Sequence, residues 1–163
     1  MSELRTARLT LDRVNADDAA FVLELLNDPG WLANIGDRGV HTIEEARAYI
    51  ADRFERSFWL VVRDAASGEP LGLCGIVAAR PGLTIPDLGY ALLARHSGKG
   101  YATEAAHAVL AQALGPLNHQ RMAAITSLEN GPSQRVLEKI GFRRLGVKRL
   151  PDYAEDSAYF EAP

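Results

Sequence analysis

Polar and apolar residues alternate with the period of a β-strand near the start of the chain. This alternation covers residues 8–14 and predicts a first strand. Apolar residues then recur at helical spacing, which predicts a helix capped by either Asn15 or Asp17. The helical set is Ala19, Val22, Leu23 and Leu26. Turn-forming residues 27–30 end this helix, and residues 27–41 are predicted to be a loop.

The middle of the chain reads as one more helix and a hairpin. Thr42 and Glu45 have the spacing of a capping box, so a second helix is predicted from there to about Phe54. Residues 58–63 and 71–79 are rich in β-branched, aromatic and other apolar residues and flank a turn that contains Gly68. They are predicted to pair as a hairpin, and residues 88–93 form the next strand.

The second half alternates helix and strand. An alanine-rich helix is predicted to end near Leu114, and a short helix over residues 133–140 ends at Gly141. Residues 122–127 form a buried strand between them, and residues 156–160 are predicted to be an edge strand. Strands in hairpins followed by β–α–β order indicate an α/β fold with one mixed sheet and helices on its faces.

Composition narrows the class of protein. The 163 residues fit one domain, and 47% hydrophobic with 24% charged residues is ordinary for a globular protein. A net charge of −3 with no basic tract argues against a nucleic-acid partner. Cys74 is the single cysteine, so no internal disulfide is expected, and no metal-ligand spacing is seen. The first eleven residues have no long apolar stretch, so we expect no membrane partner and a cytoplasmic location.

A glycine loop between a strand and a helix carries the first candidate chemistry. Gly98 and Gly100 open the alanine-rich helix, and unpaired N–H groups at a helix start bind phosphate well. A Walker-type loop does not fit, because it needs a glycine at Leu93. A dinucleotide fingerprint does not fit either, because it needs a glycine at Thr103. The loop is therefore predicted to bind a different phosphate-bearing ligand.

Two motifs resemble those of the GNAT N-acetyltransferases. The arrangement R-x-x-G-x-G-x-A over residues 95–102, followed by Thr-Glu-Ala, resembles their coenzyme A loop. Residues 128–142 resemble the segment N-x-x-S, helix, G-F that closes their acyl-CoA site. The form of this segment, with residues 4–11 and 87–90, is most similar to the ribosomal-protein-alanine (RimJ/RimL-like) branch.

The resemblance implies a single GNAT domain over residues 1–163, with a central, mostly antiparallel, twisted sheet. It also implies acetyl-CoA as co-substrate and no metal. Backbone N–H groups of residues 96–101 would hold the pyrophosphate, supported by the charges of Arg95 and Lys99. The strand that ends at residues 93–94 would splay from its neighbour, and an N–H near Leu92 would polarise the thioester. The coenzyme-binding residues implied are Leu92, Leu93, Ala94, Arg95, His96, Ser97, Gly98, Lys99, Gly100, Tyr101, Asn130 and Ser133.

The resemblance also suggests catalytic residues. Asp87 occupies a position where relatives often carry an acid, so it is the first candidate for general base; the alternative is a solvated aspartate at a strand end. Many relatives have a tyrosine at the position of Leu137, and that tyrosine acts as the acid that protonates the departing thiolate. Ser133 is the substitute, either as acid or only as a hydrogen-bond donor to sulfur. Asn130 would bind pantetheine, cap the following helix, or do both.

The expected activity is acetyl transfer from acetyl-CoA to a primary amine by direct attack in a ternary complex. The acceptor would be a protein N-terminus, a small amine or an amino acid. Trp31, Asn34 and Ile35 lie in the segment that lines the acceptor pocket in this family. A non-catalytic acyl-CoA sensor and a transferase for another acyl group remain alternatives. The short last strand leaves both a monomer and a homodimer open.

Overall fold

One eight-stranded sheet organises the part of the chain that the computed structural model describes, residues 3–55 and 57–163. The strands run in the order β1-β2-β3-β4-β5-β6-β8-β7. Their bounds are β1 Leu4–Arg5, β2 Leu9–Arg13, β3 Phe58–Asp64, β4 Pro70–Val77, β5 Asp87–Leu92, β6 Met122–Ser127, β7 Arg143–Lys148 and β8 Ser157–Ala162. The α-helices are α1 Ala19–Leu26, α2 Pro29–Asn34, α3 Ile43–Tyr49, α4 Tyr101–Leu114 and α5 Gly131–Lys139.

The sheet is mixed and mostly antiparallel, as predicted, and helices cover both faces. Among the described strands, β5 and β6 form the only parallel pair. One apolar cluster packs the sheet against α4 and α5, and the other packs it against α1, α2 and α3. Two faces buried against helices explain why the central strands β3 and β4 are apolar almost throughout.

The first helix starts at Asn15. Its side chain accepts a hydrogen bond from the Asp17 N–H at 2.8 Å, and the Asp18 carboxylate accepts one from the Asn15 N–H at 2.9 Å. This reciprocal pair is a capping box, and it decides between the two caps that the sequence allowed. A short 3₁₀ turn over Ala16–Asp18 then leads into α1.

The prediction of a loop over residues 27–41 is wrong in its first half, because α2 forms there. Asp28 caps this helix by accepting a hydrogen bond from the Gly30 N–H at 3.2 Å, and Pro29 occupies its first turn. Proline at the first helical position has the right φ and lacks only an N–H that would be unpaired anyway. The residues that end α1 therefore also start α2.

The second predicted helix is confirmed, but its second half is a π-helix rather than an α-helix. The Thr42 hydroxyl accepts a hydrogen bond from the Glu45 N–H at 3.1 Å and caps α3. The helix continues as a π-helix over Ile50–Phe54. This wider turn brings the rings of Tyr49 and Phe54 to 5.2 Å in an edge-on contact.

The end of the chain differs from the sequence prediction. The last strand, β8, is interior rather than at an edge, since it pairs with β6 on one side and with β7 on the other. The strand β7 was not predicted, because its side chains are mostly exposed and its pairing contains a bulge near Gly146. Because β8 has partners on both sides within the chain, it does not need a second chain to complete it.

The N-terminal hairpin is tied to the glycine loop by Glu104. Its carboxylate accepts hydrogen bonds from the Thr6 hydroxyl, from the Arg8 N–H at 2.9 Å and from Arg8 Nε at 2.8 Å. Arg8 Nη1 also donates to the Lys99 carbonyl at 2.9 Å. Together these contacts hold the loop before α4 against the first strands.

Candidate active site

The sheet opens between β5 and β6. The two strands share a single residue pair, Asp87 with Ala123, and part beyond it. On the other side of β5, the Leu93 N–H donates to the Leu71 carbonyl at 2.9 Å. N–H groups alternate in direction along an antiparallel strand, so the N–H of Leu92 points away from β4 and into the gap.

A cavity of about 540 Å³ runs along this gap to the start of α4. It is bounded by the glycine loop and the first turn of α4 on one side and by α5 on the other. Its lining includes Leu92, Ala94, Ser97, Gly98, Gly100, Tyr101, Ala102, Thr103, Asn130, Pro132, Ser133, Arg135, Val136 and Lys139. An elongated ligand would therefore meet both helix N-termini and the exposed edge of β5.

The glycine loop fits an anionic group. Gly98 and Gly100 have φ values of 77° and 83°, a region that favours glycine. A Cβ at Gly98 would meet no atom within 4 Å, so the loop is open on its outer side. No side chain of the described residues caps the start of α4. The N–H groups of Gly98, Lys99 and Gly100 likewise form no hydrogen bond within the described ranges. These free donors match the requirements of a pyrophosphate.

Several predicted coenzyme residues point elsewhere. Leu93 is 0% exposed in the core, and Arg95 leaves the cavity to pair with Glu24 at 2.5 Å. The N–H groups of His96 and Ser97 donate hydrogen bonds to the carbonyl oxygens of Leu93 and Ala94, in a 3₁₀ turn over Ala94–His96. The His96 ring lies 3.2 Å from Glu69, away from the gap. The turn that shapes the loop thus removes two of the six predicted N–H donors.

Two cations that the sequence analysis did not select line the cavity instead. Arg135 and Lys139 stand one helical turn apart on α5. Neither forms an ion pair with any residue in the described part of the chain. Their i, i+4 spacing was visible in the sequence, but only the packing of α5 against the gap shows that they face the same cavity as the glycine loop.

A second cavity of about 670 Å³ lies on the other side of the gap. It is bounded by α2, the π-helix, β3, β5 and the segment between β7 and β8. The two cavities share Trp31, Asn34, Ile35, Tyr90, Ala91, Ile125, Thr126, Ser127 and Ser133. The structure therefore brings the three predicted acceptor residues to the junction of the two cavities.

Asp87 lies in the wall of the second cavity and is 1% exposed. Arg80 Nε donates to both of its carboxylate oxygens at 3.1 Å, and Arg80 Nη1 donates to the Tyr153 hydroxyl at 2.6 Å. Burial raises the pKa of the Asp87 carboxyl, while the Arg80 charge opposes that shift. Arg80 Nη2 also lies 3.0 Å from Oδ2, so Oδ1, which has one contact with Arg80, keeps a lone pair for a further hydrogen bond. Asp87 is thus a buried, paired carboxylate rather than a solvated one.

Tyr90 links β5 to α5 across the gap. Its hydroxyl lies 2.8 Å from Ser133 Oγ and 2.9 Å from the Ser133 carbonyl oxygen. Burial raises the pKa of Tyr90, so the phenol stays protonated at neutral pH. Leu137 is 1% exposed and carries no acid. In the sequence Tyr90 stood out only as part of the motif over residues 87–90, although a buried tyrosine on a strand needs a hydrogen-bond partner.

Asn130 and Trp31 complete the junction. The Asn130 side-chain oxygen accepts a hydrogen bond from the Ser133 N–H at 3.2 Å, which confirms its role as N-cap of α5. Trp31 is 7% exposed, and its Nε1 has no hydrogen-bond partner among the described residues. A buried donor without a partner costs stability, so its position at the junction is consistent with a ligand site.

Two further findings concern other classes of protein. No helix within residues 3–55 and 57–163 is both long and apolar enough to cross a membrane. Over the same residues, no group of three or more His, Cys, Asp and Glu side chains is arranged to hold a metal ion.

The two motifs that resemble those of the GNAT N-acetyltransferases lie at this opening, one in the glycine loop before α4 and the other at the start of α5. The comparisons with known proteins agree: the model described as Acetyltransferase (GNAT) domain matches residues 8–143. The chain belongs to the GNAT acetyltransferase family and is an N-acetyltransferase that uses acetyl-CoA.

The relatives share most of the chain. YkkB of Bacillus subtilis (strain 168) is 34% identical over 148 residues, which cover 86% of this chain and 84% of that protein. A GNAT-family acetyltransferase from Bacillus anthracis has a TM-score of 0.82 at 27% identity, covering 97% of this chain and 96% of its own.

The ribosomal-protein-S5-alanine acetyltransferase from Vibrio fischeri has the same TM-score, 0.82, at 18% identity. The matched region covers 99% of this chain and 95% of that chain. At this identity the likeness shows the fold alone. The family is therefore confirmed, whereas the RimJ/RimL-like branch stays a prediction.

Proposed function

We propose that this protein transfers the acetyl group of acetyl-CoA to the primary amine of a small molecule by direct attack in a ternary complex. The observation that carries this proposal is that two cavities meet at the β5–β6 gap. One has the free N–H donors of a phosphate site, and the other contains a buried carboxylate. Such an arrangement lets an amine and a thioester approach each other without a covalent enzyme intermediate.

The chain's own groups would hold acetyl-CoA along the first cavity. The N–H groups of residues 98–100 and of the start of α4 would bind the pyrophosphate, and Arg135 and Lys139 would offer charge to the phosphates. The Leu92 N–H points into the gap, where it can donate to the thioester carbonyl. A donor of this kind lowers a barrier by about 3 kcal/mol in other enzymes.

Asp87 is the proposed general base. The attacking amine must lose a proton, and Asp87 is a carboxylate in the wall of the second cavity, the acceptor cavity of this proposal. It would take that proton directly or through one water molecule. Arg80 favours the ionised carboxylate against the effect of burial, and it orients the carboxylate because it binds both oxygens.

Ser133 is the proposed hydrogen-bond donor to the leaving sulfur, and Tyr90 is a positioning residue. The C–S bond of the thioester breaks as the new N–C bond forms, and the sulfur then takes up a proton. The single proton of the Tyr90 hydroxyl has two acceptors within reach, the Ser133 carbonyl oxygen and Ser133 Oγ. When Tyr90 donates to Oγ, the serine proton is free to point at the sulfur. The raised pKa of Tyr90 makes it a weak acid, so the proton that the sulfur takes up comes from solvent.

The size of the acceptor cavity favours a small-molecule acceptor over a protein N-terminus. Its volume of about 670 Å³ falls in the range of small-ligand sites. Trp31, Asn34 and Ile35 stand where its wall meets the coenzyme cavity and would contact the amine end of the acceptor. A protein N-terminus, as the RimJ/RimL-like resemblance suggests, is the alternative acceptor.

Release of coenzyme A thiol tests the proposal directly. The assay follows thiol from acetyl-CoA with small amines, amino acids and short peptides, beside calorimetry of acetyl-CoA binding. Cys74 is the single cysteine and is 0% exposed, so a thiol reagent reports on the coenzyme. Turnover with a small amine supports the proposal, and turnover with peptides alone contradicts the small acceptor. Tight binding without any turnover contradicts the proposed reaction.

The Tyr90→Phe variant should lower kcat about tenfold and leave the KM for acetyl-CoA nearly unchanged, because only the orientation of Ser133 is lost. Steady-state kinetics with Ser133→Ala and the double variant provide the check. If Tyr90 acts through Ser133, the double variant is no slower than Ser133→Ala. Tyr159→Phe is the control, since it removes a tyrosine hydroxyl bonded to Glu161 outside both cavities. Additive losses would show that Tyr90 does not act through Ser133.

A further inference from the structure

A tryptophan lies flat on the sheet in the acceptor cavity because two glycines leave room for it. Trp59 on β3 is paired in register with Gly75 on β4, which is paired with Gly89 on β5. A Cβ at Gly75 would lie 2.8 Å from Trp59 Cδ2, and a Cβ at Gly89 would lie 2.8 Å from Trp59 Cη2. The indole therefore extends from β3 across β4 to β5.

The indole of Trp59, the indole platform, reaches β5, the strand that carries Asp87. Side chains alternate between the two faces of a strand, so Asp87 and Gly89 lie on the same face of β5. The far edge of the indole ends over Gly89, two residues along from Asp87. A flat group that rests on the indole would hold an attached amine near the proposed base.

Other aromatic rings extend the platform. The Phe54 ring lies 5.5 Å from the Trp59 ring, and the Tyr49 ring lies 5.2 Å from Phe54. Tyr153, beside Arg80, also lines the cavity, and Trp31 lines the junction with the coenzyme cavity. Rings from three separate parts of the fold thus surround one space.

Charges in this cavity are largely compensated within the protein. Asp87 pairs with Arg80 at 3.0 Å, and Asp52 pairs with Arg53 at 3.2 Å. A third lining carboxylate, Asp156, lies 3.7 Å from Arg149. Among the described residues that line the cavity, Glu155 is the carboxylate without an ion pair, and Arg38 is the cation without one. A polyamine needs several free carboxylates, which this wall does not offer.

We propose that the acceptor is a small primary amine with an aromatic ring or another flat apolar group, which stacks on Trp59. This inference rests on the proposed function and adds the chemical class of the acceptor. Apolar walls with few polar groups favour burial of a ring, and ring pairs at these distances attract beyond their buried area.

A comparison of four amines as acceptors tests the inference. The thiol-release assay compares kcat/KM for 2-phenylethylamine, n-hexylamine, spermidine and a short peptide with a free N-terminus. We expect 2-phenylethylamine to exceed each of the others by about tenfold or more. Equal or better turnover of any other amine overturns this inference and leaves the proposed transfer intact. Turnover of none of the four, with acetyl-CoA bound, overturns both.

Variants of the platform give the second readout. Trp59→Leu should raise the KM for 2-phenylethylamine about tenfold and leave the KM for acetyl-CoA nearly unchanged, so that the preference for 2-phenylethylamine over n-hexylamine is lost. Trp59→Phe retains a ring and should retain the preference. If Trp59→Leu does not fold, Gly89→Ala displaces the indole from below, since Gly89 has no positive φ that would strain alanine. An equal loss for all amines would mean that Trp59 is structural, and it would overturn the inference.

Discussion

Replacing Gly98 and Gly100 together with valine should weaken acetyl-CoA binding by about a hundredfold or more while the protein stays folded. Both residues have positive φ, which strains any β-branched residue. Relief of that strain turns the loop N–H groups away from a common point, and each lost hydrogen bond to a charged group costs about 1.5–3 kcal/mol. Calorimetric titration with acetyl-CoA measures the loss, and thermal unfolding checks the fold.

Gly68→Val provides a matched control. Gly68 has a φ of 77°, the same as Gly98, and a Cβ there would also meet no atom within 4 Å. It lies in the turn between β3 and β4, outside both cavities. Its replacement should therefore impose a similar strain without any effect on binding. Acetyl-CoA affinity that survives in the double variant would contradict the assignment of the loop.

The Asp87→Asn variant should lower kcat/KM about a hundredfold near neutral pH, the scale on which a positioned base acts. The loss should shrink as the pH rises through the pKa of the amine, because the free amine then forms without help. In the unmodified protein the rate should fall on the acid side as Asp87 takes up a proton. Burial raises that pKa, so this fall lies above the usual range of an aspartate. The pH profile of kcat/KM measures all three effects.

Arg80→Gln separates the chemical role of Asp87 from its structural one. Both variants break the same buried ion pair, so both should lower the free energy of unfolding. Only Arg80→Gln retains the carboxylate. Loss of the guanidinium charge raises the pKa of Asp87 further, so the acid-side fall should move to higher pH in this variant. Identical pH profiles in Asp87→Asn and the unmodified protein would remove Asp87 from the mechanism.

Local patterns predicted most of the elements, and their errors have a common cause. The caps at Asn15, Thr42 and Asn130 act within a few residues, so the sequence displays them. The helix α2 was missed because its starting residues also end α1. The strand β7 was missed because its side chains are mostly exposed and give no clear alternation, and β8 then looked like an edge.

The candidate site divides in the same way. The sequence determined the fold class, the family motifs and the two glycines, since each depends on residues close together in the chain. It did not determine that Arg95 turns to Glu24 while Arg135 and Lys139 face the cavity.

Tertiary structure alone decided the contacts between distant segments. It placed Tyr90 against Ser133, paired Asp87 with Arg80, and laid Trp59 over Gly75 and Gly89. Such contacts depend on strand register and on how helices pack, which no local pattern encodes. The chemistry of acetyl transfer was therefore readable from the sequence, whereas the shape and charge of the acceptor cavity emerged only when the strands were brought side by side.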